Sequence, residues 1–112
     1  MILMRRCESA RLKFACVAPA DLDRLYFINF PHQVCQLLKK TVSLHYLPGV
    51  AGESTRDASA IHEIVLNGPP WSQNSSFNLH ARNMMTMICK DLDTYGWKVT
   101  ASADISAKYG WI

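Results

Sequence analysis

The chain has 112 residues, which suits one compact domain and leaves no room for a second hydrophobic core. Hydrophobic residues make up 49% and charged residues 19%, so a real core is affordable while the surface is poorer in ions than a lone small domain usually needs, as if a partner covered part of it. The net charge of +3 is too small for a strongly basic nucleic-acid binder, and no stretch approaches the roughly twenty apolar residues of a membrane helix.

In chain order, residues 1–11 read as a flexible lead-in in which Arg5, Arg6 and Arg11 join Lys13 in a basic cluster diluted by Glu8. The basic residues follow the apolar Met-Ile-Leu-Met rather than precede it, which argues against a secretory leader. "LKFACVA" alternates as a strand ending before Pro19. "DLDRLYFIN" then has helical spacing in Leu22, Leu25, Tyr26 and Asn29, with Asp21 as the cap. "HQVCQLLKK" continues as helix after Pro31, with Val34, Leu37 and Leu38 inward and Lys39 and Lys40 near its C-terminal end.

"TVSLHYL", Thr41 to Leu47, alternates as a second strand that stops at Pro48-Gly49. Residues 49–60, with "VAGESTRDAS", are small, polar and without period, and read as a loop. "AIHEIVLNG" is a third strand, broken by Pro69 and Pro70. The strongest helix is "SSFNLHARNMMTMICKDLDTYG", where Phe77, Met84, Ile88, Leu92 and Tyr95 recur every three or four residues. Ser76 or Asn78 would cap it and Gly96 would close it. A last strand alternates from Trp97 to Ile105, and "AKYGWI" follows as a short strand or tail.

The expected architecture is one α+β domain over residues 1–112, a small two-layer sandwich with helices on one face of the sheet. Its element order, β-α-β-β-α-β, is similar to that of the ferredoxin-like fold.

Chemistry-bearing motifs are sparse. His32, His45, His62 and His80 fall in different elements, and Cys7, Cys16, Cys35 and Cys89 contain no CxxC pair, so no metal site is expected. Cys35 near His32 at a helix start has the makings of a nucleophile, but it lies between Val34 and Leu37 and reads as core. Asp21, Asp23, Asp91, Asp93 and Asp104 form no pair that the spacing forces together, and Gly49 and Gly52 lack the lysine of a phosphate loop. Asn74-Ser75-Ser76 matches a glycosylation acceptor, which matters only in a secreted chain. Lys13, Phe14 and Tyr46 resemble an RNA-stacking strand without completing its motif. Met84, Met85 and Met87 have the spacing of core residues.

Aromatics near breaks carry the most weight. Trp71 reads either as a packing anchor or as an interface hot spot, and Tyr109, Trp111 and Ile112 as a contact with a partner or a second copy. The expectation is a non-catalytic, cytoplasmic protein-interaction domain that self-associates, without catalytic residues, cofactor or metal. A single-stranded nucleic-acid binder and a small enzyme are the alternatives. The apolar end and undefined start are also what a fragment or an alternative isoform would show.

Overall fold

The computed structural model describes residues 2–7, 12–56, 58 and 60–102. Six strands and two helices follow in the order β1 (Ile2–Cys7), β2 (Leu12–Ala20), β3 (Arg24–Ile28), α1 (His32–His45), β4 (Val50–Arg56), β5 (Ile61–Leu66), α2 (Asn78–Thr94) and β6 (Trp97–Ser102). The strands make one sheet in the order β4-β5-β3-β2-β1-β6, and every neighbouring pair is antiparallel. Both helices pack on one face, giving the expected two-layer α+β sandwich. From β3 onward the element order is the expected β-α-β-β-α-β, with β5 lying between β3 and β4. The β1–β2 hairpin is wedged between β3 and β6.

Alternation sorts the sheet's side chains. Leu25 and Phe27 of β3, Ile64 and Leu66 of β5, Ala15 and Val17 of β2 and Met4 of β1 are buried. They face Val34, Cys35, Leu38 and Val42 of α1 and Ala81, Met84, Met85, Ile88 and Leu92 of α2 in one continuous core. Thr41 Oγ1 donates to Asp91 Oδ2 at 2.5 Å and ties the two helices together.

Six sequence expectations are corrected. Residues 21–29 are not helical: Ala20 pairs with Arg24 across a tight turn at Asp21–Asp23, where Asp21 has φ +51°, and the chain returns as β3. Of the four residues at helical spacing only Leu25 is buried: strand alternation sends Leu25 and Phe27 inward, and Leu22 is left 58% exposed in the turn. β2 does not stop before Pro19, which pairs with Leu25; pairing with β1 reaches only to Val17, so no described strand needs an amide hydrogen from Pro19 on that side.

Thr41–Leu47 is not a strand, because α1 runs on to His45. Leu38, Val42 and Tyr46 follow one another at helical spacing and are fully buried, whereas Leu44, which strand alternation would place with Val42 and Tyr46, is 71% exposed. Finally, residues 50–56 within the expected loop form β4, and residues 2–7 of the expected lead-in form β1. β4 is an edge strand exposed on both faces, so its sequence carries no apolar alternation. The start of α2 also differs: Phe77, rather than Ser76 or Asn78, is the N-cap and no side chain caps it, while Ser75 Oγ accepts the Phe77 amide at 3.0 Å in the preceding turn. Gly96, with φ +90°, closes the helix as expected.

Candidate functional site

No helix among the described residues covers the second face of the sheet, and β2, β3, β5 and β4 display Phe14, Cys16, Tyr26, Ile28, Ile61, Glu63, Val65, Ser54 and Arg56 along it by strand parity. Its centre is Glu63. This residue sits opposite Tyr26 on β3 and Ser54 on β4, and is only 4% exposed although no described helix or strand lies above it. The side chains around it supply the cover.

Tyr26 Oη donates to Glu63 Oε2 at 2.8 Å and Ser54 Oγ donates to Oε1 at 3.2 Å. Arg24 Nη1 lies 2.9 Å from Oε1, and Arg56 Nη2 lies 2.9 Å from Oε2. The Arg56 guanidinium also stands 5.9 Å from the centre of the Tyr26 ring. A carboxylate offers about four lone-pair positions, and four donors occupy them. The Tyr26 hydrogen bond, opposed by burial and helped by the two arginines, holds the Glu63 carboxyl below the usual range. The same bonds raise Tyr26 and Arg24 above theirs. Arg24 has two further carboxylates near it, Asp21 at 3.6 Å and Asp23 at 3.8 Å.

The arrangement fixes charge in place. Glu63 stays ionised with its lone pairs engaged, which is the opposite of what a general base needs. Both arginines are answered within the chain, which leaves them poorly placed to take up phosphates. Around this rigid centre lie partly buried Ile28, Ile61 and Val65 and the 47% exposed ring of Phe14.

The residues singled out from sequence fall elsewhere. Trp71 is 4% exposed, and its indole N–H donates to the Arg24 carbonyl at 2.6 Å, so it is a packing anchor under the β2–β3 turn rather than a free surface. Tyr109, Trp111 and Ile112 lie outside the described residues, as does Asp104. Cys35 is fully buried, and burial pushes its thiol up to about 11, which suppresses the thiolate a nucleophile requires. Cys16, Cys35 and Cys89 are free thiols. The His32 and His62 rings approach to 6.1 Å, but no group of three His, Cys, Asp or Glu side chains among the described residues is placed to hold a metal. Tyr46 is fully buried and has no face to offer a base, whereas Phe14 has. Met84 and Met85 are core.

Sequence reasoning missed Arg24, Tyr26, Ser54, Arg56 and Glu63. The available signal was Glu63 itself, a lone carboxylate inside the apolar strand "IHEIVL".

Fold and site together define a two-layer α+β domain with a preorganised ion cluster on the sheet face that no described helix covers. Residues 13–111 match the model of a family described only as a domain, and the chain belongs to that family. No curated protein and no solved structure matches the chain. No helix among the described residues is long and apolar enough to cross a membrane.

Proposed function

We propose that this is a non-catalytic protein-interaction domain that self-associates by stacking the bare sheet faces of two copies. The observation that carries the reading is the self-contained Glu63 cluster. Both of its cations are answered by carboxylates of the same chain, so an identical surface can approach without stranding a cation. The half-exposed Phe14 ring and the aliphatic side chains around the cluster supply the apolar contact.

Face-to-face packing of sheets about 10 Å apart is a common way to bury such a surface. Six strands about 4.8 Å apart, each showing about 18 Å of length, present roughly 500 Å². Two stacked faces bury about 1,000 Å², at the lower bound for a specific interface. The free thiols suit a reducing compartment, in keeping with work in the cytoplasm.

Light scattering coupled to size-exclusion chromatography, run on the full chain from micromolar to several hundred micromolar, tests this. The expected result is a concentration-dependent dimer that Phe14→Glu converts to a monomer with an unchanged circular dichroism spectrum. A wild-type monomer throughout, or a dimer indifferent to Phe14→Glu, overturns the reading. Salt-dependent binding of a single-stranded oligonucleotide that is lost in Phe14→Glu would replace it with the nucleic-acid alternative.

A further inference from the structure

β4 closes one edge of the sheet, and the core does little to hold it there. None of its seven residues is buried, and Val50, at its start, is the one that packs against the core. Two residues on, Gly52 has open space where a side chain would stand. The register with β5 slips between Val50 and Gly52. A bulge and a glycine both loosen a ladder at the point where they occur.

The backbone on either side of the strand is pinned. Before it, Asn67 donates its amide to the Gly49 carbonyl at 3.0 Å and its Nδ2 to the Pro48 carbonyl at 2.8 Å. After it, the Ala60 carbonyl accepts the Asn29 amide at 2.8 Å. Residues 52–56 are slung between these fixed points.

Along that span two side-chain bonds converge on one group. Ser54 Oγ donates to Glu63 Oε1 at 3.2 Å, and Arg56 Nη2 donates to Oε2 at 2.9 Å. Lys39 of α1 also lies 3.7 Å from Glu53, but the Glu53 side chain is 56% exposed and such a pair contributes little. Glu63 is better placed. Its side chain is 6% exposed, and β3 grips it independently through Tyr26 and Arg24.

We propose that β4 is a strap: residues 52–56 lift from β5 as one unit while the rest of the domain stays folded, and Glu63 is the clasp that sets how often they do. A strand with little apolar area to lose opens at a fraction of the cost of global unfolding. Lifting trades the pairing with β5 for water and frees Ser54 and Arg56, while Tyr26 and Arg24 keep Glu63 in place. The open form bares the backbone edge of β5 over residues 61–65, which the closed strap pairs. This opening belongs to the single chain and does not depend on two copies stacking.

Native-state hydrogen exchange of the full chain, read amide by amide by NMR at several low urea concentrations, tests the strap. The amides that join β4 to β5 are expected to share one opening, at least about a hundredfold more frequent than that of the Leu25 and Phe27 amides and only weakly dependent on urea. Ser54→Ala combined with Arg56→Ala should speed their exchange at least about fivefold and leave Leu25 and Phe27 unchanged. Exchange of β4 only with global unfolding overturns the strap. So does a gradient of rates from one end, which is fraying rather than a unit. Indifference to the double substitution, or an equal acceleration at Leu25 and Phe27, overturns the clasp.

Discussion

Arg24 and Glu63 meet diagonally across β3 and β5. Arg24 is registered opposite Val65 and Glu63 opposite Tyr26, yet Nη1 of Arg24 reaches Oε1 of Glu63 at 2.9 Å. The diagonal reach lets Tyr26 keep its direct bond to the same carboxylate, so that two residues of one strand grip one residue of the next.

This grip fixes the sign of an acid dependence. The Glu63 carboxyl is held below its ordinary 4.5, chiefly by the Tyr26 hydrogen bond and then by the arginines. The unfolded chain therefore takes up a proton first as pH falls. The stability contributed by ionised Glu63 is complete above the unfolded value and is lost as pH drops through the lower folded one. Thermal melts from neutral pH downward should show the wild type declining more steeply below 4.5 than Glu63→Gln, which should start lower. Parallel curves for the two proteins would refute the assignment.

Tyr46 gives the mirror-image test in alkali. Its hydroxyl donates to the Asn67 carbonyl at 2.5 Å, and burial pushes it up from 10.0 to about 12. Here the unfolded chain loses its proton first as pH rises, so the contribution is complete below 10.0 and is lost on the way to about 12. A tyrosinate absorbance titration should show two late-ionising tyrosines, Tyr26 and Tyr46, of which Tyr46→Phe removes one. The melting temperature of that variant should also fall less between these pH values.

Leu38 and Leu44 lie on opposite sides of α1, fully buried and 71% exposed respectively. Urea denaturation should show Leu38→Ala costing about 3 kcal/mol, as for a large-to-small change in a closed core. Leu44→Ala should cost no more than about 0.5 kcal/mol, as for an open surface site. Comparable costs at the two positions would mean that this face of α1 is covered.

Gly68 is held at φ +79°, and a Cβ there would lie 2.5 Å from Cε1 of the Phe77 ring. Gly68→Ala should therefore cost about 1–3 kcal/mol, from the left-handed backbone and the displaced ring together. Adding Phe77→Leu should return only part of that loss in the same urea measurement, because the backbone strain remains. Full recovery would place the whole cost in the ring contact.

The sequence disclosed what depends on regular apolar spacing. α2 was legible from Phe77 to Tyr95 because one side of it is continuously buried, and β5 and β6 were legible from their length and flanking breaks. Two kinds of segment were not. In 41–47 the periods of strand and helix coincide at Val42 and Tyr46, and only the exposure of Leu44 separates them. In 50–56 the edge position removes the need for apolar residues, so pairing with β5 leaves no trace in composition. The Glu63 cluster was hidden for a further reason. Its members come from three strands, β3, β4 and β5, of which the spacing of residues 21–29 disguised the first as a helix and the polar composition of residues 50–56 disguised the second as a loop.

The wedging of β1 and β2 between β3 and β6 also sets the order in which the sheet can be finished. One side of β1 is satisfied by its near neighbour β2, but the other waits for β6, where Ile2 meets Ser102 across almost the whole described chain. On the ribosome, β1 and β2 emerge early and must keep one open edge through the synthesis of everything that follows. The pairing that seals it is the most distant in sequence, so it belongs to the slow, late part of folding. A nascent chain stalled before Trp97 would expose that edge, and this is the state in which a chaperone would find the most to bind.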